Sequence, residues 1–106
     1  MHKILRRDFE LQIENGINVI VCVIPFSSEC KKCVKDLDDY SSQYPFVIYN
    51  VYDISSDLDI SETYEIVDIP TILIFKDGVL VDKFVYTNLE NFTKKLDIES
   101  LVKKEQ

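Results

Sequence analysis

The sequence predicts an α/β fold with a central mixed sheet, and three observations carry the prediction. Apolar, β-branched runs alternate along the chain with segments of helical periodicity. Asp77-Gly78 sits between two such runs and is a strong hairpin signal, so the last two strands should pair antiparallel. The length of 106 residues with 46% hydrophobic content suits one domain spanning 1–106, with enough apolar side chains for a core and no need of a disulfide scaffold.

Each element follows from local pattern. Leu5, Phe9 and Ile13 recur on one helical face, and Asn15-Gly16 stops that helix. Ile17 to Ile24 is almost wholly apolar, as expected of a central strand covered on both faces. Pro25 ends it, and Phe26 to Glu29 forms a loop whose serines suit a helix N-cap. The next helix should bury Cys33, Val34, Leu37, Tyr40 and Tyr44. Phe46 to Tyr52 reads as a second buried strand, and Ser61 to Ile66 as a short helix. Thr71 to Phe75 is a third strand, and Val79 to Tyr86 returns from the hairpin. Asn88 caps a last helix with Leu89, Phe92 and Leu96 facing inward, and 98–106 is a charged tail. Strands separated by helices imply parallel pairing, with the hairpin as an antiparallel edge.

Charge and hydropathy exclude several classes. The formal net charge of -7 argues against nucleic acid and anionic membranes as partners. The longest apolar run, Val19 to Phe26, is far too short to span a bilayer. The first eight residues carry no long apolar segment of a secretory signal, so a cytoplasmic location is expected. Three cysteines in that compartment point to redox chemistry or metal. Zinc fits poorly, because a structural site wants four ligands and the single histidine is His2, so no metal is expected. Asp53, Asp57 and Asp59 lack the full calcium-loop pattern and read as a solvated acidic loop. Cys22, on the central strand, reads as a small apolar residue.

Cys30-Lys31-Lys32-Cys33 carries the chemistry. It opens a helix directly after the central strand, which places two thiols one turn apart. Only a thiolate attacks a disulfide. The helix N-terminus favours the Cys30 anion by roughly 0.3–1 kcal/mol. Lys31 and Lys32 add positive charge, and Glu29 opposes them.

Five features in order resemble the thioredoxin family: the strand Val19 to Ile24, the Cys30-x-x-Cys33 motif, Asp53 after the next strand, Tyr64-x-Ile66 before Ile69-Pro70-Thr71, and Thr71 to Gly78. The resemblance covers about Phe9 to Leu96. It implies the thioredoxin fold, with Pro70 in the cis form facing the CxxC across a shallow groove. It implies a dithiol–disulfide oxidoreductase that reduces protein disulfides, with Cys30 as attacker and Cys33 as resolver. A reductase of the thioredoxin-reductase type would recycle the Cys30–Cys33 disulfide. No cofactor is expected beyond that disulfide, and a monomer is expected. Substrate contacts fall on Ile69, Pro70, Lys31, Lys32, Glu29 and Tyr86.

The departures from the family pattern are local to this site. Lys31-Lys32 replaces Gly-Pro, and Glu29 replaces a Trp. Asp38 stands for a kinking proline, Tyr86 for a glycine near the groove, and Asp68 for a residue that is often glycine. Ile24 stands where the family keeps a buried Asp that deprotonates the second cysteine. Two alternatives remain open: a glutaredoxin-like protein using glutathione, and a non-catalytic binding module on the same fold.

Overall fold

A computed structural model of the chain describes residues 1–43, 46–55 and 58–96. Its elements are β1 (His2–Lys3), a 3-10 turn (Arg6–Asp8), α1 (Phe9–Ile13), β2 (Ile17–Val23), α2 (Ser28–Ser41), β3 (Val47–Asp53), α3 (Leu58–Thr63), β4 (Thr71–Lys76), β5 (Val79–Val85) and α4 (Leu89–Lys95). The strands form one mixed sheet in the order β1-β3-β2-β4-β5. Tyr44 and the tail from 97 onward lie outside the described residues, as does Asp57.

The near-continuous apolar run of β2 now has its reason. It is the central strand, and successive side chains feed two separate cores. Val19 and Val21 pack with Cys33, Leu37, Tyr40, Phe92 and Leu96, on the side of α2 and α4. Ile20 and Cys22 pack with Phe9, Ile13, Ile60, Leu73 and Phe75, on the side of α1 and α3. Val34 is half-buried at the margin of the first of these cores.

β2 and β3 run parallel, as the intervening helix predicts. The antiparallel part of the sheet begins one strand before the hairpin, because β4 itself is antiparallel to β2. The short helix between β3 and β4 accords with this direction. The six residues of α3 rise only about 9 Å, whereas a seven-residue strand spans about 23 Å. α3 alone does not carry the chain back along the strands, and β4 starts at the sheet end where β3 finished. Asp77-Gly78 makes the expected tight turn into β5, with φ of 47° and 86°.

Three local expectations are corrected. The first helix is split into a 3-10 turn and a short α1, and Leu5 stands 51% exposed instead of facing the core. β1 was not expected. Its two exposed residues carry no pattern, and it exists because His2 and Lys3 pair with Asn50 and Val51. α3 starts at Leu58 and ends at Thr63, earlier than the Ser61 to Ile66 segment. Glu65 takes a left-handed φ of 51°, Ile66 N–H donates to Ser61 O at 2.8 Å, and Glu65 N–H donates to Glu62 O at 3.3 Å. This Schellman closure needs the left-handed conformation that glycine usually supplies, and the glutamate concealed it.

Candidate active site

The site is assembled where β2 hands over to α2. Pro25 follows the strand, and Phe26 then takes a left-handed φ of 67° while standing 93% exposed. That conformation costs a bulky L-residue roughly 1–2 kcal/mol, since its Cβ crowds the following carbonyl. Ser27 is the N-cap of α2, and its Oγ accepts from Cys30 N–H at 3.2 Å. Glu29 folds its carboxylate over the same turn and accepts from Ser27 Oγ at 3.2 Å. Its own backbone N–H, and then Ser27, hold that carboxyl below the usual range. Negative charge at a helix N-terminus is favourable for the helix.

Cys30 and Cys33 are both free thiols on α2, one turn apart. Cys30 is 2% exposed yet lines a groove of about 420 Å³ with Val23, Ile24, Pro25, Phe26 and Lys31. Cys33 is fully buried in the α2–α4 core. Burial pushes its thiol up to about 12, with Cys30 and then Asp36 adding to the rise.

The other expected residues fall around this pair. Lys31, Lys32 and Glu29 are exposed on the first turns of α2. The Ile69–Pro70 bond is cis. Pro70 precedes β4, whose Thr71 is the partner of Cys22 near the end of β2. Ile69 and Pro70 therefore lie at the sheet end from which the chain passes into α2. Thr71 Oγ1 donates to Asp68 O, which tightens this turn. Pro70 O accepts from Tyr86 N–H at 2.9 Å. Tyr86 itself is turned inward and is 7% exposed, with its ring 6.3 Å from that of Phe92. Its hydroxyl donates to Asp36 Oδ2 at 2.8 Å. Burial, and then Asp36, push the phenol up, so it stays a donor through the neutral range.

Two residues of this region escaped the sequence. Phe26 read only as loop, and its exposure at the groove is set by one backbone angle. Asp36 drew no notice in the sequence. Its three-residue spacing from Cys33 was the available signal, but its partner lies fifty residues away.

Cys22 points to the opposite face, into the α1–α3 core, where burial pushes its thiol up to about 12. Asp53 and Asp59 do not share a loop: Asp53 ends β3 and accepts from Ser55 Oγ at 2.6 Å, while Asp59 lies on α3 and accepts from Arg6 Nη2 at 2.6 Å. Among the described residues no three His, Cys, Asp or Glu side chains cluster as a metal would require.

The thioredoxin family model matches residues 1–100. The chain belongs to the thioredoxin family. It is 28% identical over 97 residues to thioredoxin of Staphylococcus aureus, covering 90% of this chain and 93% of that protein. Its fold superimposes on mitochondrial thioredoxin 3 of Saccharomyces cerevisiae in the oxidized form with a TM-score of 0.82, at 26% identity, over 91% of this chain and 92% of that one. Plasmodium falciparum thioredoxin shares the fold at a TM-score of 0.80 with 20% identity, over 88% of this chain and 94% of that one. The thioredoxin fold expected from the sequence is the fold observed, and thiol–disulfide oxidoreduction is the class of chemistry it serves. Among the described residues no helix is long and apolar enough to cross a membrane.

Proposed function

We propose that this thioredoxin-family chain reduces protein disulfides through Cys30 and Cys33. The observation that carries the reading is the placement of two free thiols one turn apart on α2, with Cys30 lining a groove and Cys33 sealed beneath it. The Cys30 thiolate attacks a substrate disulfide, joining Cys30 Sγ to one substrate sulfur and releasing the other as a thiolate. Cys33 then attacks Cys30 Sγ, breaks the mixed disulfide and releases the second substrate thiolate. The protein keeps a Cys30–Cys33 disulfide, and two electrons have passed to the substrate. A reductase of the thioredoxin-reductase type returns them.

Ile69 supplies backbone to the bound substrate and Pro70 keeps the groove open. Lys31, Lys32 and Glu29 set a charged rim around Cys30, which favours partners different from those of a thioredoxin with neutral residues there. Tyr86 is buried, so its part in binding is to shape the wall behind Pro70. The protein acts as a monomer in the cytoplasm and needs no cofactor beyond its own disulfide.

Insulin reduction with dithiothreitol or glutathione as electron source tests this. Turnover lost in Cys30→Ser is expected, together with a trapped mixed disulfide in Cys33→Ser. Turnover with glutathione alone would favour the glutaredoxin-like alternative. A complete lack of cysteine-dependent turnover with either reductant would leave the non-catalytic module, which Ile24 in place of the buried base favours.

A further inference from the structure

Cys33 ionises poorly for a resolving thiol: it is fully buried, burial pushes it up to about 12, and Ile24 offers no carboxylate. A thiol in that state is almost entirely protonated at neutral pH, so its attack on Cys30 needs a proton acceptor. Ile24 itself is half-buried and lines the groove with an apolar side chain.

One carboxylate is built into the other side of the site. Asp36 follows Cys33 by three residues on α2, which puts the two side chains on one helix face, about 5–6 Å apart at Cβ. Asp36 is half-buried, and the Tyr86 hydroxyl donates to its Oδ2 at 2.8 Å. Tyr86 is pinned at both ends, by its N–H to Pro70 O at 2.9 Å and by its ring against Phe92. Cys33 and Tyr86 belong to the same buried cluster. Among the described residues no other donor reaches Asp36, so Oδ1 keeps its lone pairs for a proton. In family terms, the tyrosine stands where a glycine is usual and the isoleucine where the base is usual. The two substitutions are complementary, since one removes a carboxylate from the strand end and the other fixes a carboxylate on the helix.

We propose that Asp36 is the proton acceptor for Cys33 in the resolving step, directly or through one water, and that Tyr86 is the residue that positions it. The inference rests on the disulfide-reductase reading above. Asp36 takes the proton of Cys33 Sγ as that sulfur attacks Cys30 Sγ in the mixed disulfide. The Cys30–substrate S–S bond breaks, the Cys30–Cys33 bond forms, and the electron pair leaves with the substrate sulfur. The proton on Asp36 then passes to the departing thiolate or to water, which restores the carboxylate. The ionisable groups bearing on the Cys33 sulfur are Cys30 and Asp36 from its own helix, and Tyr86, after the end of β5, is coupled to both Asp36 and Cys33.

A base and a mere electrostatic neighbour make opposite predictions. The Asp36 charge raises the Cys33 thiol, so its removal leaves Cys33 easier to ionise. If Asp36 were only a neighbour, Asp36→Asn would speed resolution; if it is the base, the same change slows it.

The test is single-turnover reaction of the reduced protein with a symmetrical aromatic disulfide that releases a coloured thiolate. The first equivalent reports attack by Cys30 and the second reports resolution by Cys33. The ratio of second to first rate is expected to fall in Asp36→Asn by on the order of 100-fold, the usual contribution of a general base. Asp36→Glu should restore most of it, and Tyr86→Phe should give a smaller fall. In the unaltered protein the second rate should be nearly level from about pH 7 to 9, because a carboxylate base is already ionised across that range. A climb of about tenfold per pH unit across that range would mean solvent is the acceptor, and would overturn the inference without any variant. An unchanged or raised ratio in Asp36→Asn overturns it too. Absence of any Cys30-dependent release in the unaltered protein overturns the disulfide-reductase reading instead, so the two failures are distinguishable.

Discussion

Raising the pH should reverse the stability order of the protein and its Cys22→Ala variant. Cys22 is fully buried in the α1–α3 core, and burial lifts its thiol from an ordinary 9.0 to about 12. The folded value is the higher one. Between about pH 9 and 12 the unfolded chain therefore releases a proton that the folded chain retains, and stability falls as pH rises. Below that window the thiol is neutral in both states and contributes no pH dependence. At about pH 11 the ionised unfolded thiol is favoured by about 3 kcal/mol. At neutral pH the variant should be the weaker protein by about 1–2 kcal/mol, through lost packing. At about pH 11 that deficit is more than offset, so the variant should be the stronger by a similar amount. Cys33 carries a penalty of the same sign in both proteins and cancels in the comparison. Urea denaturation under a phosphine reductant, at neutral pH and at about pH 11, measures the gap. If the gap keeps its sign and size, Cys22 is not a neutral thiol sealed in the core, and the burial argument fails.

Phe92→Ala should cost roughly 3–5 kcal/mol in denaturant melts, because the ring is fully buried and packs on Tyr40, Phe84 and Tyr86. It should also slow the second thiolate release more than the first, since Tyr86 loses its backing. Phe26→Gly should change stability by less than about 1 kcal/mol, because relief at the left-handed position offsets the added chain entropy. The same variant should raise KM for insulin, through loss of an exposed ring at the groove. Ser27→Ala should cost about 1 kcal/mol through loss of the cap to Cys30 N–H, read as a lower Tm. Glu65→Gly should stabilise by less than about 1 kcal/mol, because relief at the left-handed helix terminus is partly offset by added chain entropy, and a lower Tm would contradict that account.

Strong local patterns in the sequence became real elements. The apolar run of β2, the Asp77-Gly78 turn and the Asn88 cap each specify their own geometry over a few residues, and each lies within a residue or two of its expected place. What escaped depended on distant partners. β1 is two exposed residues made into a strand by Asn50 and Val51. Leu5 has the spacing of a helical stripe, but the chain there tightens into a 3-10 turn that breaks the stripe. The antiparallel direction of β4 depends on how the chain crosses from the end of β3, which hydrophobic pattern does not encode. At the site, the cysteine pair and the turn before β4 were legible because their chemistry is local. The Asp36–Tyr86 bond was not, because neither residue alone departs from what an exposed helix or a strand end ordinarily carries.

The alternation of side chains along β2 also wires the redox chemistry. Three thiols permit three pairings on paper. Cys22 projects into the α1–α3 core, while Cys33 lies in the core on the other side of the sheet, so a layer of hydrogen-bonded backbone stands between them. A disulfide needs its Cβ atoms about 4 Å apart and facing each other, and no rotamer reaches through a sheet. Oxidation of the folded chain thus cannot join Cys22 to the buried Cys33, and the insulated third sulfur becomes a built-in integrity sensor: alkylation at Cys22 under native conditions would report that the sheet has opened.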